Sequence, residues 1–213
     1  MRLAGLAYAQ ARLQARLAEL PSARDWQLIE TGRDFGQTLE AARQGALGRY
    51  VSRLSRESTA ADIEQALRFA WTELVDEVAG WTPARWQASL RWLTPLPHLR
   101  LPDARPDPLP ADDAPETLVS KVWQAEFERR LPTADAGVLG ALDPLLRRFL
   151  FGPAPAEGAE TVARRLEDLF RTRGREPVAI IGWLGLMALV LERLRGALLR
   201  ALLFPAEPAE GAP

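Results

Sequence analysis

Apolar residues recur at intervals of three and four along most of this chain, and the breaks between them fall at prolines and glycines. That period belongs to helices with one face turned inward. The longest apolar run is Glu176 to Phe204. Pro177 suits a first helical turn, which needs no backbone donor there. The stretch from Val178 to Leu191 then carries no charge, and Leu191, Leu194, Leu198 and Leu202 continue one stripe past Glu192, Arg193, Arg195 and Arg200. The pattern predicts one helix of about seven turns. Its first half is apolar on every side, so protein or lipid must enclose it. A membrane span needs roughly 20 mostly apolar residues, and this uncharged run is shorter and interrupted by Gly182 and Gly185, so a buried core helix is the expectation. Trp183, Leu186, Val190 and Leu194 are its expected core residues.

The rest of the chain reads as shorter helices. Leu3 to Leu20 has Leu6, Leu13, Leu17 and Leu20 on one side, with Tyr8 at the margin and Arg12 and Arg16 elsewhere. Ser22 is a candidate N-cap for a short helix bearing Trp26 and Ile29. Phe35, Leu39 and Ala42 mark another. Ser58 or Thr59 can cap a helix over about 59–79, with Asp62 at the spacing of a capping-box partner for Thr59, and Gly80 stops it. Thr82-Pro83 begins a helix with Trp86, Leu90 and Leu93 inward. After the proline- and aspartate-rich stretch comes a helix over Glu116–Arg130 with Leu118, Val122 and Phe127 inward, Trp123 beside them, and Glu126 and Arg130 spaced to pair. Val138 to Phe149, divided or started by Pro144, and Glu160 to Arg171 complete the set. No stretch alternates as a strand does. The fold expected is all-α, a multi-helix bundle or funnel with a long, largely buried C-terminal helix.

Domain organisation follows the breaks. Residues 1–94 form an N-terminal helical unit, 95–115 a Pro/Asp-rich linker or surface loop, 116–204 a C-terminal helical unit, and 205–213 a disordered tail. The local charge shifts at the same place: residues 1–100 carry 13 basic and 11 acidic side chains, residues 101–170 carry 8 and 13.

Composition narrows the chemistry. With 27 basic and 28 acidic residues, the formal net charge of −1 argues against nucleic acid as a partner. No cysteine is present, which excludes disulfides and thiolate sites. The single histidine, His98, lies in a loop with no partner spacing, and Asp112-Asp113 and Glu126–Glu128 do not match a calcium loop. Gly32, Gly36, Gly45 and Gly48 are not a phosphate loop, and no serine sits in a nucleophile elbow. No enzyme, cofactor or metal is expected. No secretion signal is read at the N-terminus, where Arg12 and Arg16 break any apolar segment, so a cytoplasmic location is expected.

Seven tryptophans are many for 213 residues. Large aromatics fill cores and are also enriched at interfaces, and arginine makes multidentate contacts that lysine cannot. Arg12, Arg16, Trp81, Trp92, Arg129 and Arg130 are the candidate partner-binding residues.

Two segments resemble a known family. Tyr8 to Leu17, YAQARLQARL, resembles the opening helix of the C subunit of V-type and archaeal-type ATPases, the AC39 or d subunit family. Asp25 to Leu39 is similar to the short helices that follow. At the other end, Glu176, Pro177, Glu192, Leu194 and Arg195 match the family's Glu-Pro pair, long apolar helix and leucine/arginine finish. The chain would be a divergent, shortened member. The resemblance implies a non-catalytic subunit coupling the central stalk to the membrane rotor ring in hydrogen-ion transport. Its partners would be central-stalk and rotor-ring subunits, with indirect membrane association at the cytoplasmic face. Two alternatives stand beside it: a soluble helical scaffold or adaptor unrelated to the motor, and a membrane-associated helical protein anchored by residues 177–204.

Overall fold

The computed structural model describes residues 4–17, 20–101, 105–110, 114–132, 136–152, 158–174 and 176–205. Among them are nine α-helices and no strand: α1 (Ala4–Leu17), α2 (Ala23–Glu30), α3 (Phe35–Gln44), α4 (Ala60–Gly80), α5 (Ala84–Arg91), α6 (Glu116–Arg130), α7 (Ala136–Phe151), α8 (Ala159–Thr172) and α9 (Pro177–Leu203). The fold is all-α. Apart from Pro205, the expected disordered tail lies outside the described residues, as do Leu3 and Asp112-Asp113.

The helix starts follow local chemistry. Ser22 and Asp25 form a reciprocal capping box at α2: the Asp25 amide donates to Ser22 Oγ at 3.2 Å and the Ser22 amide donates to the Asp25 carboxylate at 2.7 Å. Thr59 and Asp62 do the same at α4, at 3.3 and 2.7 Å. Each box satisfies two amides that the helix leaves without partners. Thr82 does not cap α5 as its position before Pro83 predicts. Its hydroxyl donates back to the Ala79 carbonyl at 2.7 Å, and Pro83 itself is the N-cap residue. Pro144 neither divides nor starts α7 but lies inside it.

The chain divides into two compact units, each made of separate segments. The first comprises residues 1–15 and 72–189, the second residues 16–71 and 190–213. The dividing points fall within α1, α4 and α9.

In the first unit, α6 packs on α5 and α7, and α7 on α8. Every residue of α9 from Val178 to Leu189 is buried. Its two glycines have a specific use. A Cβ on Gly182 would come within 2.9 Å of Leu169 Cδ2, and one on Gly185 within 2.5 Å of Leu145 Cδ1 and 3.1 Å of Leu166 Cδ1. The small residues therefore let α7 and α8 lie close against α9. Gly185→Leu is expected to destabilise the protein by about 1–3 kcal/mol or more through overpacking. Gly196, on the same helix, is exposed with nothing near its would-be Cβ. Gly196→Ala should stabilise by about 0.5–1 kcal/mol, the helix-propensity gain alone. Urea denaturation of the two variants, one shifted down and one up, checks both.

One predicted stripe is rotated. On α6 the buried residues are Val119, Trp123 and Phe127, while Leu118 is 44% exposed and Val122 half-buried. The bulkier rings decide the face. Trp123 stacks on Phe127 at 5.3 Å between centroids and on Trp92 at 6.5 Å.

In the second unit, α2 packs on α3, and the 3-10 turn Gly48–Tyr50 follows against α3. Trp26, Ile29, Phe35, Leu39, Ala42 and Ile63 are buried there, as is Leu194 of α9.

Candidate protein-binding surfaces

Arg12 and Trp81 are brought together. The Arg12 guanidinium carbon lies over the Tyr8 ring, 5.0 Å from its centroid, and over the Trp81 ring at 5.1 Å. Tyr8 and Arg12 stand four residues apart on α1, which puts them on one helix face. Trp81 comes from the turn that closes α4, where its amide donates to the Val78 carbonyl at 3.1 Å. Tyr8 is 52% exposed, Arg12 is exposed and Trp81 is half-buried. Arg16, one turn further along α1, is half-buried. Tyr8 is the member that the sequence reading left at a margin. Its four-residue spacing from Arg12 was the available signal.

Arg130 and Trp92 also meet, but inside the fold. Trp92 is buried, its indole N–H donates to the Trp123 carbonyl at 3.2 Å, and Arg130 lies 4.0 Å over its ring. Arg130 in turn bonds the Glu126 carboxylate and, at 2.7 Å, the Glu126 carbonyl. Arg129 forks onto the same carboxylate at 2.7 and 3.2 Å. The hydrogen bonds from Arg129 and Arg130 hold the Glu126 carboxyl below its ordinary range. Both arginines are thus spent on α6 and its stacked rings. Trp92, expected on a docking surface, is here a core residue.

Of the expected core positions, Trp183, Leu186 and Leu194 are buried and Val190 is half-buried. The C-terminal part of α9 is tied by charge. Arg193 forks onto the Glu30 carboxylate at 2.7 and 3.0 Å and lies 4.3 Å over the Trp26 ring. Arg195 Nε bonds Glu64 at 2.5 Å, and Arg200 donates to the Glu30 carbonyl at 3.1 Å. The Arg193 hydrogen bond, against a smaller effect of burial, lowers the Glu30 pKa. A lowered carboxylate stabilises the folded state at pH values above its unfolded pKa, and that contribution disappears as pH falls through the folded one. Stability should therefore decline below about pH 4, where an ordinary glutamate protonates. Glu30→Gln should reduce that acid-dependent slope, read as Tm against pH.

A concavity with a volume of about 920 Å3 lies between α2 and α3. Its walls include Arg24, Asp25, Asp34, Gln37, Glu40 and Arg56. The carboxylates are already engaged: Asp25 in its capping box, Asp34 with the Gln37 amide at 2.8 Å and Glu40 with Gln44 at 3.0 Å. Ligand pockets are predominantly apolar with a few convergent polar groups, whereas polar and apolar surface line this groove in nearly equal measure. Among the described residues no group of three His, Asp or Glu side chains is arranged to hold a metal. His98, half-buried, is the last residue of the 3-10 turn Leu96–His98, and its amide donates to the Pro95 carbonyl at 2.9 Å.

Comparison with known proteins finds no matching family model, curated protein or solved structure. α9 is long and apolar enough to cross a membrane, and 78% of its most apolar stretch is buried within the protein. It has the make-up of either a membrane anchor or the core helix of a soluble protein.

Proposed function

We propose that the protein is a non-catalytic helical adaptor, a soluble cytoplasmic scaffold that holds another protein through the surface made by Tyr8, Arg12 and Trp81. The observation that carries this reading is the gathering of those three side chains at an exposed site. Tyrosine, tryptophan and arginine are the residues enriched among the few that dominate interface energies. The enclosure of α9 from Val178 to Leu189 supports a soluble protein, because this run has its apolar surface covered without lipid. Tyr8→Ala tests the reading. Its side chain is half exposed, so helical content should stay unchanged by circular dichroism while the partner that co-isolates with the tagged full chain is lost. The same co-isolated proteins in both forms would overturn it.

A second reading has one observation in its favour. The two segments that resemble the rotary-ATPase connecting subunit touch: Gln10 Nε2 donates to the Glu176 carbonyl at 3.3 Å. Under that reading the co-isolated proteins are central-stalk and rotor-ring subunits. A membrane-anchored protein would instead need detergent to stay in solution.

A further inference from the structure

Arg12 carries a charge that no carboxylate among the described residues answers. Arg129, Arg193 and Arg195 each meet a carboxylate, whereas among the described residues Arg12 meets only the two rings. A guanidinium has five N–H donors and no acceptor. Ring faces attract its charge but leave the demand for acceptor oxygens open. Contact with both rings limits where the group can move, so part of the ordering that binding requires is already done.

We infer that Arg12, held over Tyr8 and Trp81, is the receptor for a carboxylate on an acidic segment of a partner protein, an inference that rests on the adaptor reading. The charges decide between anions. The whole chain has a net charge of −1, so it has no general attraction for a polyanion. One guanidinium fork matches one carboxylate bidentately. Tyr8 and Trp81 offer apolar area beside it, which suits an aspartate or glutamate flanked by an apolar side chain.

The test is fluorescence anisotropy with the full chain and a fluorescein-labelled peptide of alternating glutamate and leucine. Glutamine and phosphoserine counterparts and phosphatidylserine vesicles serve as competitors. The glutamate peptide should bind roughly tenfold more tightly than the glutamine one, which is about 1.4 kcal/mol. Arg12→Gln should abolish that difference, Arg12→Lys should keep part of it, and added salt should weaken it. Equal binding by wild type and Arg12→Gln overturns the inference. So does no binding, or Arg12-dependent binding of the phosphoserine peptide or the vesicles alone. Partner co-isolation separates the two levels. Loss of the partner in Tyr8→Ala but not in Arg12→Gln overturns the carboxylate receptor and leaves the adaptor reading standing. Loss in neither variant overturns the adaptor reading itself.

Discussion

Leu186→Arg is expected to unfold the first unit. Leu186 is 6% exposed and sits in the run of α9 that is buried on every side. Its neighbours Gly185 and Trp183 are in contact-limited positions: a Cβ on Gly185 would press on Leu145 and Leu166, and Trp183 is 1% exposed. An arginine there has no carboxylate within the uncharged stretch Val178–Leu191 to pair with. Burying an unpaired charge is among the few single changes that cost more than about 4–5 kcal/mol. That is a large part of the roughly 5–15 kcal/mol by which a folded domain is stable. Leu186→Met keeps volume and polarity, and should lose less than about 1.5 kcal/mol. Thermal unfolding followed by circular dichroism checks the pair: no cooperative transition for the arginine variant, a modestly lowered Tm for the methionine variant. An unchanged Tm in Leu186→Arg would contradict the enclosed position of the side chain.

Trp123→Ala is expected to have the next largest effect. Trp123 is fully buried, stacked against both Trp92 and Phe127. Replacing a buried tryptophan by alanine destabilises by about 3–5 kcal/mol, from lost burial plus the cavity left behind. One opposing effect is present. The indole N–H of Trp123 is buried and has no hydrogen-bond partner among the described residues, and its removal relieves a penalty of about 1–3 kcal/mol. The expected loss therefore lies near the lower end of the range. Arg130→Ala, which removes the guanidinium over Trp92 but leaves the stack, should lose less. Urea unfolding of the two variants decides: a Trp123→Ala loss no larger than that of Arg130→Ala would mean the stack is not a centre of stability.

Much of the helical framework was legible because its signals are local. Pro177, the uncharged run and the leucine stripe that continues it mark α9 to within a residue of Pro177–Leu203. Ser22–Asp25 and Thr59–Asp62 are three apart, so the caps can be read directly from the spacing. The α6 stripe held at Phe127 but failed at Leu118 and Val122, for a reason of the same kind in reverse. Leu118, Val122, Val119 and Trp123 offer two overlapping faces, and choosing between them depends on Trp92, 31 positions before Trp123 in the chain. The Thr82 cap failed because α5 begins one residue later, with Pro83 at the N-cap position, while the Thr82 hydroxyl donates back to the Ala79 carbonyl.

The candidate surface was half legible. Arg12 and Trp81 drew notice singly, for their residue types, but sequence spacing could not bring together side chains 69 positions apart. Nor could it separate Trp81 from Trp92, which the fold assigns to an exposed cluster and a buried one. The pairing of Arg130 with Glu126 on one helix could be read from their spacing, whereas nothing local shows that, among the described residues, Arg12 meets only rings. The resemblance at the two chain ends stays an expectation about coupling, with the Gln10–Glu176 contact as its structural counterpart.

The most direct test of a docking role at Tyr8, Arg12 and Trp81 is site-specific photo-crosslinking in native cells. A photoreactive phenylalanine replaces Tyr8 in one full-length chain and Leu118, an exposed residue of α6, in another. Crosslinking of a discrete protein at position 8, absent at position 118 and lost when Arg12→Gln is added, is the predicted result. No crosslink at position 8, or the same products at both positions, would contradict the role.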